Sequence, residues 1–213
     1  MTNTEDNIVL ERVDRPSSQR KIAKIIAAAR TEFFANGFSA SSIEAIAARA
    51  EVSKVTVYSW FKTKENLFGE VVKAERARMT QKFVDDSLES ESLRDILLHV
   101  AENLLNFLML EEKVRFDRIL AAEVNRDPKI GKYFLDNGPR ASMANLTELL
   151  QKLVDKGEIE SSDPKFSAEM FHGLVMGNMD VFLRYGEKIK LTTPEKRERA
   201  KRAVDAWIRI HQK

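Results

Sequence analysis

Apolar residues fall three and four positions apart along almost the whole chain, the interval that lets a helix bury one face. Ile22, Ile25, Ile26, Ala29, Phe33 and Phe34 make the first such stripe, beginning at Ser18. Asn36-Gly37 ends it, with Gly37 suited to a left-handed cap. Ser41-Ser42-Ile43-Glu44 has the S-x-x-E form of a capping box and starts a second helix that reaches Ala50. Ser53 is a natural N-cap for a third, ending at Phe61. Lys62-Thr63-Lys64-Glu65 restarts the chain into a fourth, apolar at Leu67, Val71 and Val72 and extending to about Ser87. Further helices are expected over 92–110, 112–125, 128–136, 139–156, 164–185 and 194–211. Pro128, Pro139, Pro164 and Pro194 stand at the breaks between them, and most suit a first helical turn. No run of β-branched alternation predicts a strand, so the fold class is all-α.

Composition narrows the chemistry. The 213 residues include no cysteine, which excludes disulfides and thiolate catalysis. The three histidines, His99, His172 and His211, have no metal-ligand spacing. Neither a glycine-rich phosphate loop nor a G-x-S-x-G turn occurs, so no catalytic residue, metal or cofactor is expected. Met1 to Leu10 carries Glu5 and Asp6 without a long apolar run, and no stretch has the length of a membrane span. A cytoplasmic protein with no membrane partner is the expectation.

Charge is uneven. From Arg20 to Lys64 there are eight basic and three acidic residues, a local balance of +5 in a chain whose net charge is +2. A compact basic segment on a slightly acidic body suits a polyanion.

The second and third helices have the form of a helix-turn-helix. Ile43, Ile46, Ala47 and Ala50 supply a compact inner face, and Val52 and Val57 close the core beneath the turn. The third helix then offers Ser53, Lys54, Val55, Thr56, Tyr58, Ser59 and Trp60 to a major groove. Lys54 can donate to guanine and the Thr56 methyl can meet a thymine methyl. Tyr58 and Trp60 lie where hydroxyl and indole groups meet phosphates. Ser41, Ser42 and Lys64 are candidates for further phosphate contacts.

The stretch Val52-Ser53-Lys54-Val55-Thr56-Val57-Tyr58-Ser59-Trp60-Phe61-Lys62-Thr63-Lys64-Glu65-Asn66-Leu67-Phe68 closely resembles the DNA-binding domain of TetR-family regulators. It fits that family's V-S-x-x-x-x-Y-x-x-F-x-x-K-x-x-L pattern and follows Gly37-Phe38 and Ser41-Ser42 at the right distance. Three positions depart from it: Glu51 and Val55 where glycine is frequent, and Trp60 where histidine or tyrosine is. The resemblance implies a flexible arm over 1–18, a three-helix DNA-binding head over 19–64, and a ligand-binding and dimerisation body over 65–213.

The body has more apolar mass than a spacer requires. Phe107, Phe116, Leu120, Phe134, Met143, Leu146 and Met176 are candidates for an effector pocket, as flexible methionines and aromatics suit an adaptable apolar cavity. Each of them could equally pack the core. The resemblance implies that a small molecule sits between these helices, and the scarcity of inner-face charge suggests an apolar or amphipathic one. Phe166, Met170, Gly173, Gly177 and Val181 form one candidate dimer stripe, and Ala203, Trp207 and Ile210 a second, one of which is expected to pack within the chain. A two-fold homodimer would read a palindromic double-stranded operator with recognition helices ~34 Å apart. The expected function is repression relieved by the ligand. The alternative is a DNA-binding regulator without a ligand, controlled by a protein partner or acting architecturally.

Overall fold

The computed structural model describes residues 16–80 and 92–212, and no strand occurs among them. The head comprises α1 (Pro16–Ala40), α2 (Ile43–Arg49), α3 (Lys54–Phe61) and the first half of α4 (Lys64–Thr80). The body follows with α5 (Leu93–Leu108), α6 (Glu111–Val124), α7 (Pro128–Asn137) and α8 (Pro139–Asp155). It closes with α9 (Pro164–Met176), α10 (Met179–Arg184) and α11 (Thr193–His211). Of the expected arm, Pro16 to Ser18 already belong to α1, and residues 1–15 lie outside the described residues, as does the expected extension of α4 over 81–87.

The helix boundaries follow from local chemistry. Ser42, Ser53, Ser92, Asp127, Asp163 and Thr192 each cap a helix by accepting a backbone N–H from its first turn. Pro128, Pro139, Pro164 and Pro194 occupy first-turn positions, where a missing N–H costs nothing. Gly37 breaks the regular path of α1 with φ 82° and ψ 176°. The capping box read at Ser41–Glu44 does not form. Ser42 is the N-cap, the Ser41 hydroxyl donates to the Gly37 carbonyl at 2.6 Å, and the Glu44 carboxylate goes to Lys54.

The single helix expected over 164–185 is two. Gly177, at φ 55° and ψ −130°, ends α9, and α10 starts afresh at Met179. Its glycine is therefore required by a backbone turn, not by close approach of a partner helix. Gly173, by contrast, lies in α9 with open space where a Cβ would stand.

Two apolar cores form. The first gathers Ile25, Phe33, Phe34 and Phe38 of α1, Ile43 and Ile46 of α2, Val57 and Phe61 of α3, and Leu67 and Phe68 of α4. It also includes Phe116 and Leu120 of α6 and Ile130 of α7, so it does not end at residue 64. Phe34 stacks on Phe116 with centroids 4.3 Å apart and planes 7° from parallel, joining head to body directly. The second core holds Leu97, Leu105, Leu150, Phe171, Met176 and Val204 around Trp207.

Trp207 and Ala203, placed on a dimer stripe by their spacing, are buried in that second core. The Trp207 indole donates to the Ser167 carbonyl at 2.9 Å, and the ring stacks on His211 and meets Phe171 edge-on. A buried indole needs such an acceptor, so this residue packs α11 against α9 within one chain. On the other stripe, Phe166, Gly173, Gly177 and Val181 are exposed and Met170 half-buried, and Ile210 is exposed on α11. Leu174, Phe182 and Tyr185, which spacing alone had not singled out, add exposed apolar surface on α9 and at the α10 end.

Candidate nucleic-acid interface

Helix α3 presents its groove face because its other face is anchored. Val57 and Phe61 are buried in the head core, and Val52 packs against it from the turn. That leaves Ser53, Lys54, Val55, Tyr58 and Ser59 exposed, with Thr56 half-buried. Val55 is 77% exposed, a branched apolar side chain with nothing beneath it. The Ser53 hydroxyl accepts the Thr56 N–H at 3.1 Å and lies 2.8 Å from the Thr56 hydroxyl, fixing the first turn. Ser59 donates back to the Thr56 carbonyl, leaving its oxygen outward.

The turn before α3 is held by Glu51 at φ 57°. A side chain there strains the left-handed region by roughly 1 kcal/mol. The departure from glycine at this position is thus accommodated without altering the turn's left-handed geometry.

Lys54 is not a free cation. Its ammonium pairs with Glu44 of α2 and lies 5.7 Å from the Tyr58 ring centroid. The hydrogen bond from Lys54 pulls the Glu44 carboxyl below its ordinary range, and the same bond raises the lysine. The sequence gave no cue to this pairing, because the two residues lie on different helices. Arg20, Lys21 and Lys24 are exposed on α1, and Lys62 is exposed after α3, so the basic segment does reach the surface.

Three expected DNA-facing residues are placed otherwise. Ser41 is 3% exposed and its hydroxyl is spent on Gly37. The Lys64 ammonium donates to the Phe38 and Ser41 carbonyls at 2.9 Å each and lies over the Phe38 ring. With two donors committed and the third against a π face, Lys64 is a strut between α4 and the α1–α2 turn. Trp60 is half-buried and packs against the head core. Ser42 remains exposed, its oxygen occupied by the Ala45 N–H.

Behind this face the body grips the head. The Glu123 carboxylate of α6 accepts the N–H groups of Phe38 and Ser39 at 3.0 Å each. A Cβ on Gly37 would come within 2.5 Å of Glu123 Oε1 and of the Ile119 side chain. Glycine is needed there twice over, for its dihedrals and for this close approach. Arg30 of α1 binds Glu75 of α4 at 2.8 Å and also pairs with Glu112 of α6. Burial works against its charge, but the hydrogen bonds to Glu75 and Glu112 outweigh that and hold the guanidinium above its ordinary value.

The expected pocket residues do not come together. Phe116 and Leu120 are buried in the first core and Phe134 packs against it, whereas Met176 is buried in the second with Met143 and Leu146 beside it. Phe107 is half-buried on α5. They divide because α6 and α7 turn their apolar faces to the head, which the period of a single helix does not reveal. Among the described residues no group of histidines and carboxylates could hold a metal ion, and no helix is long and apolar enough to cross a membrane.

Comparison with known proteins decides the family. Residues 25–71 match the model of bacterial regulatory proteins of the tetR family, and residues 95–212 match that of the C-terminal domain of AefR-like transcriptional repressors. The chain belongs to the TetR family. Similar solved structures include a TetR-family transcriptional regulator from Mesorhizobium loti, 29% identical, covering 92% of this chain and 99% of that one with a TM-score of 0.77. The flavonoid-responsive regulator FrrA is 30% identical, with 91% and 98% covered and a TM-score of 0.72. The HTH-type regulator YdeS of Bacillus subtilis is 28% identical over 75% of this chain and 78% of its own. As a TetR-family member the chain is a DNA-binding transcriptional regulator and not an enzyme.

Proposed function

We propose that this TetR-family chain is a cytoplasmic homodimeric repressor that binds a palindromic operator through α3 and leaves it when a small ligand binds the body. The observation that carries the DNA-binding site is the outward row of Lys54, Val55 and Tyr58 on a helix whose opposite face, Val57 and Phe61, is locked in the core. We divide the chain functionally into a head over 19–64 and a body over 65–213, with the shared core between them. The exposed apolar residues of α9, α10 and Ile210 of α11 are the surface on which a second copy would pack.

Ligand control is a population shift: the effector lowers operator affinity only by binding better to a dimer whose heads are wrongly spaced. Two elements connect body to head, α4 by chain continuity and α6 through Glu123 and the Phe34–Phe116 stack. The similarity to FrrA supports a planar aromatic, amphipathic effector. The test is a polarisation titration of DNA flanking the protein's own coding region, beside a Lys54→Ala/Tyr58→Ala variant. Saturable nanomolar binding, lost in the variant, is the expected result. Weak binding indifferent to sequence and to the substitutions would sink the specific-regulator reading.

A further inference from the structure

One buried charged pair in the body has no role in holding the head. Lys113 of α6 has a side chain only 9% exposed and pairs with Asp117 one turn on. Its ammonium lies 5.7 Å from the Phe107 ring of α5 and 5.5 Å from the Phe134 ring of α7. Asp117 Oδ2 takes the lysine. Oδ1 is sealed from solvent and has no hydrogen-bond partner, alone in this among the side-chain atoms of the described residues.

A half-satisfied buried pair is a poor way to stabilise a fold. Well-packed apolar residues of similar volume would do as well or better, whereas an uncompensated carboxylate oxygen costs free energy until a donor reaches it. The missing partner is constrained by its surroundings. It must donate, because a carboxylate only accepts. It is not a metal ion, since the neighbouring ammonium repels cations and no second carboxylate joins the site. It is not an anion, because the Lys113 charge is already neutralised and Asp117 would oppose another negative group. The rings of Phe107 and Phe134 on either side favour an aromatic body.

We propose that Lys113 and Asp117 are the polar anchor of the effector site, and that the effector is a phenol. Its hydroxyl donates to Asp117 Oδ1 while its ring lies against Phe107 and Phe134. The inference rests on the ligand-released repressor proposed above and names the chemistry of its ligand. The position suits a signal. Phe134 meets Phe116 edge-on at 6.0 Å, and Phe116 stacks on Phe34 of the head, so a ring inserted beside Phe134 adjoins the stack that reaches α1. Ten residues further along α6, about 15 Å away, Glu123 holds the Phe38 and Ser39 amides.

The experiment is isothermal titration calorimetry of the full chain with a trihydroxyflavone and with unsubstituted flavone, repeated on a Lys113→Met/Asp117→Leu variant. Wild-type protein should bind the hydroxylated compound at least roughly tenfold more tightly, the effect of one hydrogen bond to a charged group. The variant should bind the two alike. Equal binding of both flavones by the wild type, no binding of either, or an undiminished preference in the variant each overturns the proposal. Should the variant fail to fold by circular dichroism, the wild-type comparison still decides. Operator titration of the wild type separates the two levels. DNA binding without phenol preference defeats the anchor alone, and absence of specific DNA binding defeats the repressor reading while leaving the calorimetric result standing.

Discussion

Lys54 and Glu51 show how much a single side chain decides at the DNA face. Lys54 must leave Glu44 to donate to a base or phosphate, so the ion pair sets a threshold that a wrong sequence fails to repay. Glu44→Gln should therefore tighten non-specific DNA binding several-fold and narrow the gap between operator and random duplex, measured by paired polarisation titrations. An unchanged ratio would mean the pair is only a solvated surface contact, worth little. Glu51 stands at φ 57° and makes only an exposed contact to Lys24 at 3.5 Å. Glu51→Gly should raise the unfolding free energy by about 0.5 kcal/mol in urea titrations, relief of strain being partly offset by the freer unfolded chain. A loss of stability would show that the carboxylate does more than the geometry displays.

Helices were largely legible because their starts are written locally. A serine or aspartate cap, or a first-turn proline, acts on the next three residues and needs no distant partner, so Ser42, Ser53, Pro128 and Pro164 mark their helices from the sequence. The Y-x-x-F spacing of α3 was equally clear. What escaped depends on which helix faces which. Ser41 and Lys64 turned inward because Gly37 and Phe38 offered carbonyls, and the pocket residues split because α6 packs on the head. Gly177 was visible as a small residue but not as a break. At this scale Glu123 is the element-to-element tie with the clearest consequence. Glu123→Ala removes a carboxylate from two backbone amides and should cost about 1–3 kcal/mol of stability while weakening the effect of any ligand on operator binding. A stable variant with unaltered ligand response would assign coupling to α4. Helix α9 carries a pH response as well. Burial lowers His172 below its ordinary 6.5, with Asp180 opposing in part. The folded state then binds fewer protons than the unfolded chain just below that value. Stability is retained above it and falls as pH drops from about 7 to about 5.5. His172→Gln should flatten that part of a melting-temperature profile, and an unflattened curve would place the titrating group elsewhere.

For the whole molecule, the exposed Phe166, Leu174, Val181, Phe182 and Tyr185 are more apolar surface than a monomer usually leaves to water. A Phe166→Glu/Phe182→Glu variant should sediment as a monomer and lose operator affinity by well over tenfold, since one head reaches one half-site. A variant still dimeric would move the interface off α9 and α10. The first core has a different consequence. Phe116, Leu120 and Ile130 lie late in the chain yet roof the rings of Phe33, Phe34 and Phe68. Cutting the gene after residue 64 would leave those rings open to water, so the reader of DNA cannot be lifted out as a cassette or fused to a foreign sensor without its ceiling. During synthesis the head must wait, incomplete, until α6 and α7 have emerged. Recombination between relatives would succeed only where the exchanged pieces carry matching aromatics, binding what the protein recognises on DNA to the lineage of what it senses.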